Sequence, residues 1–102
     1  MKNYIFNFDE EVKKYNEIFT EIFSLLYDNM HRTSADAFIT LIKDKCDELF
    51  SIIECCKYYY KNCEDDENKK RKIMLEKMKS SFKLLTYILS SQYQIFINQV
   101  VE

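Results

Sequence analysis

A chain of 102 residues with no glycine and no proline has few ways to turn sharply. Tight hairpins draw on Gly or Asn-Gly for positive φ, and other β-turns on Pro for a preset φ. A sheet of several strands needs many such turns. Helices joined by polar loops need none of them. The missing residues therefore point to an all-α chain, and the apolar pattern says how its helices pair.

That pattern is strongest between Ile39 and Cys63. Ile39, Ile42, Cys46, Leu49, Ile53, Cys56, Tyr60 and Cys63 recur in alternating steps of three and four, the spacing that lines one side of an α-helix. The seam is about 36 Å long at 1.5 Å per residue. Phe38, Leu41, Phe50, Ile52 and Tyr59 lie beside it. The apolar face is thus wider than a two-stranded coiled coil uses, so this helix should touch at least two others.

The flanking stretches carry matching seams. Before it stand Val12, Tyr15, Phe19, Ile22, Leu26 and Met30, in a helix expected to begin near Asn7 or Asp9 and to end around Met30. Asn7 with Glu10 three residues on has the spacing of a capping box, and Thr33 with Asp36 repeats it at the start of the central helix. After it stand Leu75, Met78, Phe82, Leu85, Leu89, Gln92 and Phe96. The expected fold is an antiparallel bundle of three long helices, or four if the third breaks at Ser80-Ser81 or Ser90-Ser91.

The second connection falls within residues 62–68. A turn near residues 62–64 would place Asp65, Asp66 and Glu67 in the first turn of helix three, where the macrodipole favours acids. The same acids stand four residues before Lys69, Lys70 and Arg71, a spacing that also suits one unbroken helix from Ser34 into the nineties.

A chain of this length forms one domain, and 47% apolar residues with 8 Phe and 8 Tyr provide its core. The net charge of −2 is unevenly spread: residues 1–56 carry 6 basic and 11 acidic side chains, residues 57–102 carry 9 and 6. The opening residues reach Asp9, Glu10 and Glu11 too soon for a secretory leader, and no run approaches the ~18 apolar residues of a membrane span. A cytoplasmic chain with no membrane partner is expected. Abundant Lys, Asn, Ile, Tyr and Phe beside two Ala and two Arg suggest an AT-rich genome.

Cys46, Cys55, Cys56 and Cys63 all fall in the central helix. There Cys56 and Cys63 stand about 10 Å apart along the axis, beyond the ~7 Å that a disulfide spans. Neither neighbouring helix offers a thiol. With no CxxC and only His31 as an imidazole, zinc has no ligand set. The cysteines read as small core residues. His31 stands in or beside a connection with no Ser or Cys partner identifiable by sequence, so it carries no catalytic expectation.

The one basic concentration is Lys69, Lys70, Arg71 and Lys72, continued by Lys77, Lys79 and Lys83. It suits phosphate or an acidic partner, although Glu64, Asp65, Asp66 and Glu67 immediately before it offset its field. Tyr58, Tyr59 and Tyr60 beside Lys57 and Lys61 could stack on bases, but on a helix they fan over roughly 200°. No glycine-rich phosphate loop can be built without glycine.

The polar residues fall on outer faces and caps, and no cofactor, metal or catalytic set is expected. Surplus apolar surface points instead to protein binding. The sequence reads as a non-enzymatic helical protein that binds another protein, as an inhibitor of a host defence system (an anti-CRISPR, for instance) carried by a phage or other mobile element would. A nucleic-acid-associated module using the basic 69–83 face, or a bacteriocin-immunity-like bundle, are the alternatives. Phe38, Leu41, Phe50, Tyr58, Tyr59, Ile88 and Ile95 exceed what a three-helix core covers, so they are expected to form a partner or homodimer surface.

Overall fold

The computed structural model describes residues 6–28, 36–61 and 68–102. They form three helices, α1 (Phe8–Asp28), α2 (Asp36–Lys61) and α3 (Asn68–Tyr93), with a non-helical segment from Gln94 onward. Asn7 caps α1. Its side-chain oxygen accepts the amide of Glu10 at 3.1 Å and its carbonyl accepts that of Glu11 at 3.0 Å. Two of the four orphan donors of that terminus are thereby satisfied. Asp9, Glu10 and Glu11 sit in the first turn, where the helix dipole favours carboxylates. Thr33, His31, Cys63 and the acids at 64–67 lie outside the described residues.

Side-chain pairs give the topology. Phe6 stacks on Tyr59 with ring centroids 4.0 Å apart, and Glu21 pairs with Lys45 at 2.8 Å. As residue numbers rise along α1 they fall along α2, so the two run antiparallel. The Arg71 guanidinium sits 5.9 Å from the centre of the Phe8 ring, and the Tyr15 hydroxyl meets the Met78 carbonyl at 2.8 Å. Here both numbers rise together, so α1 and α3 are parallel. Phe50 and Phe82 approach to 6.1 Å between centroids. One unbroken helix would hold them about 48 Å apart; the chain therefore reverses between α2 and α3, as expected.

The core follows the seams. Tyr15, Ile22 and Leu26 of α1, Ile42, Cys46, Leu49, Ile53 and Cys56 of α2, and Leu75, Met78, Phe82, Leu85 and Leu89 of α3 are all buried. Phe38, Phe50 and Tyr60 pack half-buried against them, which accounts for the broad apolar face of α2.

The C-terminal end departs from expectation. Helix α3 runs unbroken through Ser80-Ser81 and Ser90-Ser91, so the bundle has three helices. The hydroxyls are absorbed locally: Ser81 Oγ donates to the Met78 carbonyl at 2.9 Å and Ser90 Oγ to that of Tyr87 at 3.0 Å. The helix stops at Tyr93 because Gln94 takes a left-handed conformation, φ 57°. That turn brings the Ile95 amide back onto the Leu89 carbonyl at 2.9 Å, satisfying one of the acceptors that a helix end exposes. It also breaks the helical period. Ile95, expected at the surface, is 2% exposed, while Phe96, expected in the seam, is 61% exposed.

Candidate functional site

The expected basic cluster divides in two. Lys69, Lys70, Lys72 and Lys83 are exposed. Arg71 instead lies over the Phe8 ring, and Lys79, half-buried, pairs with Glu76 at 3.4 Å. The physical reason is the wheel of α3: Arg71 falls on the same side as Leu75, Phe82 and Leu89, so its cation ends on a core aromatic rather than in solvent. Phosphate contact through the whole set is therefore not what this face presents.

The expected apolar surface is also partly spent inside. Leu41 and Tyr58 are exposed, but Ile95 is buried. Phe50 packs on Phe82, Tyr59 stacks on Phe6, and Phe38 and Ile88 are half-buried. These residues border the seams, and the third helix covers more of that border than a narrow core would require.

Other residues take their place. Ile73 and Leu84 are each 59% exposed and Tyr87 is 68% exposed, all on the side of α3 opposite its core row. The signal was in the sequence: on a helix these three fall away from Leu75, Phe82, Leu85 and Leu89. Exposed Lys72, Lys77 and Lys83 flank them, and no ion pair joins these lysines to another described residue. Tyr87 to Ile73 spans about 21 Å of helix. The outer face of α3 is thus an apolar stripe with a cationic border.

Helix α2 presents the opposite charge. Asp36, Asp44, Asp47 and Glu48 are exposed on its outer side, with Lys43 the exposed cation among them. Lys45 turns to Glu21 of α1, and Lys57 pairs with Glu54 at 3.3 Å. The uneven charge noted along the chain has become a polarity across the bundle, acidic on α2 and basic on α3. A further apolar depression lies at the end of α1, where Phe23 and Tyr27 meet Tyr93.

The buried polar groups serve the fold. Tyr15 Oη, the Met78 carbonyl and Ser81 Oγ close a triangle with sides of 2.8, 2.6 and 2.9 Å. Burial pushes the Tyr15 phenol up to about 12, against a lowering by the Ser81 bond. Burial likewise raises Cys46 and Cys56 to about 12, with Asp47 adding to the first and Cys55 and Glu11 to the second. Such thiols are poor nucleophiles. Cys46, Cys55 and Cys56 are unbridged. Among the described residues no group of three His, Cys, Asp or Glu comes together to hold a metal ion, and no helix is long and apolar enough to cross a membrane.

No family model matches this chain, and neither the curated proteins nor the solved structures hold a match to it.

Proposed function

We propose that this chain is a non-enzymatic binding protein that engages an acidic protein surface through the outer face of α3. One observation carries the reading: Ile73, Leu84 and Tyr87 stand out from a helix whose core side is already complete, within a border of Lys72, Lys77 and Lys83. Exposed aliphatic and aromatic groups inside a charged rim are the anatomy of a protein interface. A phosphate backbone would use the lysines but would leave Ile73 and Leu84 wet. Acting by occupancy, such a face blocks or bridges a larger assembly, which is how a small inhibitor works.

The test is recovery of a partner from a lysate of the cells in which the chain acts, by the tagged wild type and by Ile73→Asp/Leu84→Asp. The wild type should retain a specific protein and the variant should lose it while keeping its helical circular dichroism. Equal recovery by both would move the interface elsewhere. Retention of DNA or RNA that fades as salt rises, with no protein retained, would assign the face to phosphate instead.

A further inference from the structure

We propose that two copies of the chain pair about a two-fold axis parallel to the helices, each laying the basic face of α3 on the acidic face of α2 of the other. The occupant is argued from charge. The outer side of α2 carries Asp44, Asp47 and Glu48, and that of α3 carries Lys72, Lys77 and Lys83, all exposed and none ion-paired to another described residue. A second copy therefore offers each face its complement.

Geometry selects the axis. Among two-fold arrangements of the α2–α3 face, an axis crossing the helices stacks α2 on α2 and sets acids against acids. An axis along the helices stacks α2 on α3 and leaves every point at its original height. Phe50 and Phe82 mark a shared height in one copy, so they also align α3 with the partner copy's α2. Lys83, one residue beyond Phe82, then lies within a turn of the partner copy's Asp47, three residues from Phe50. Because α2 and α3 are antiparallel within a chain, each is also antiparallel to its new neighbour, as in an up-down four-helix bundle. Exposed Tyr58 and Tyr87 stand on the two helices so covered.

Surface ion pairs hold weakly and are screened by salt, so the dimer should form at tens of micromolar and dissociate as ionic strength rises. It uses the face assigned above to a partner protein, which would have to displace the second copy. Its test, however, needs no partner, and either reading can fail alone.

Light scattering on a sizing column at low salt should give the wild type a mass near twice 12.4 kDa. Lys72→Glu/Lys83→Glu should be monomeric, as should Asp44→Lys/Asp47→Lys. An equimolar mixture of the two should recover the doubled mass, because both contacts of that heterodimer are complementary while neither homodimer is. A wild type that stays at 12.4 kDa overturns the proposal. So does a variant that remains dimeric alone, or a mixture that stays monomeric. Circular dichroism checks that both variants fold. Should one fail, Lys83→Gln and Asp47→Asn probe the same contact without reversing it, and each should weaken self-association.

Discussion

The hydroxyl of Tyr15, in α1, donates to the main-chain carbonyl of Met78, in α3, across 2.8 Å. Ser81 Oγ closes on both oxygens, so three polar atoms from two helices satisfy one another inside the apolar core. Helices α1 and α3 share the parallel, least extensive of the three interfaces, and this bond fixes their relative height.

Removing the hydroxyl should therefore register as a bond lost without a cavity. Tyr15→Phe is expected to cost about 1 kcal/mol, the net worth of a typical intramolecular hydrogen bond. Ser81→Ala should cost a similar amount, and the double variant less than the two together, since they share one network. Urea denaturation of the four proteins measures the cycle. Strict additivity would mean that the triangle does not act as a unit.

Two leucines separate core from surface. Leu49 of α2 is fully buried, whereas Leu84 of α3 is mostly exposed. Leu49→Ala should cost about 2–5 kcal/mol, through lost transfer energy and the cavity left behind. Leu84→Ala should change stability by less than about 0.5 kcal/mol, as exposed positions do. Thermal melts decide both. A Leu84→Ala variant that melts much lower would place that side chain in a folded-state contact and weaken its assignment to a binding face.

The cysteines give a chemical readout of the same burial. In a Cys63→Ser background, Cys55, half-buried, should react with a thiol reagent before Cys46 and Cys56, which are fully buried. Those two should react only as the chain opens, at a rate that follows unfolding. Fast labelling of three thiols in native buffer would contradict the central seam.

How much of this was legible in the sequence depends on which interaction decides each position. Ile42, Leu49 and Ile53 were readable because a 3-4 period and an apolar side chain leave one sensible face. Gln94 was not: nothing in its chemistry demands φ 57°, so the helix was read on through Gln92 to Phe96, and Ile95 and Phe96 came out exchanged. The Tyr15–Ser81 bond joins residues 66 apart, and no local rule points across that distance. At the surface, the 69–83 lysines were readable as a group, but the core-facing turn of Arg71 and the exposure of Leu84 depend on the exact phase of α3.

Gln94 itself is testable. A non-glycine residue in the left-handed region carries a cost of about 1–2 kcal/mol from contact between its Cβ and the following carbonyl. Gln94→Gly removes that cost while making the unfolded chain freer, so a small net gain, under about 1 kcal/mol, is expected. Gln94→Val should be clearly destabilising, because a β-branched residue tolerates this region worst. If Gly and Val melt alike, the helix does not end on a left-handed residue at this position.

The last expectation concerns alkaline pH. Tyr15, Cys46 and Cys56 are neutral when protonated, and burial raises all three to about 12, from ordinary values of 10.0 for the phenol and 9.0 for the thiols. Between those values the native state keeps protons that the unfolded chain has released. Stability therefore falls as pH rises, since its slope follows the protons bound by the unfolded state minus those bound by the native state. The contribution of these groups is complete below pH 9, erodes first as the thiols ionise in the unfolded chain, and erodes further above 10 as the phenol joins them. Urea midpoints taken from pH 7.5 to 11 should be insensitive to these groups until about 9 and then decline. Tyr15→Phe should flatten only the part above 10, leaving the earlier thiol-linked decline in place. A midpoint that holds level through pH 11, or a Tyr15→Phe curve parallel to wild type throughout, would show that these groups meet solvent in the native state.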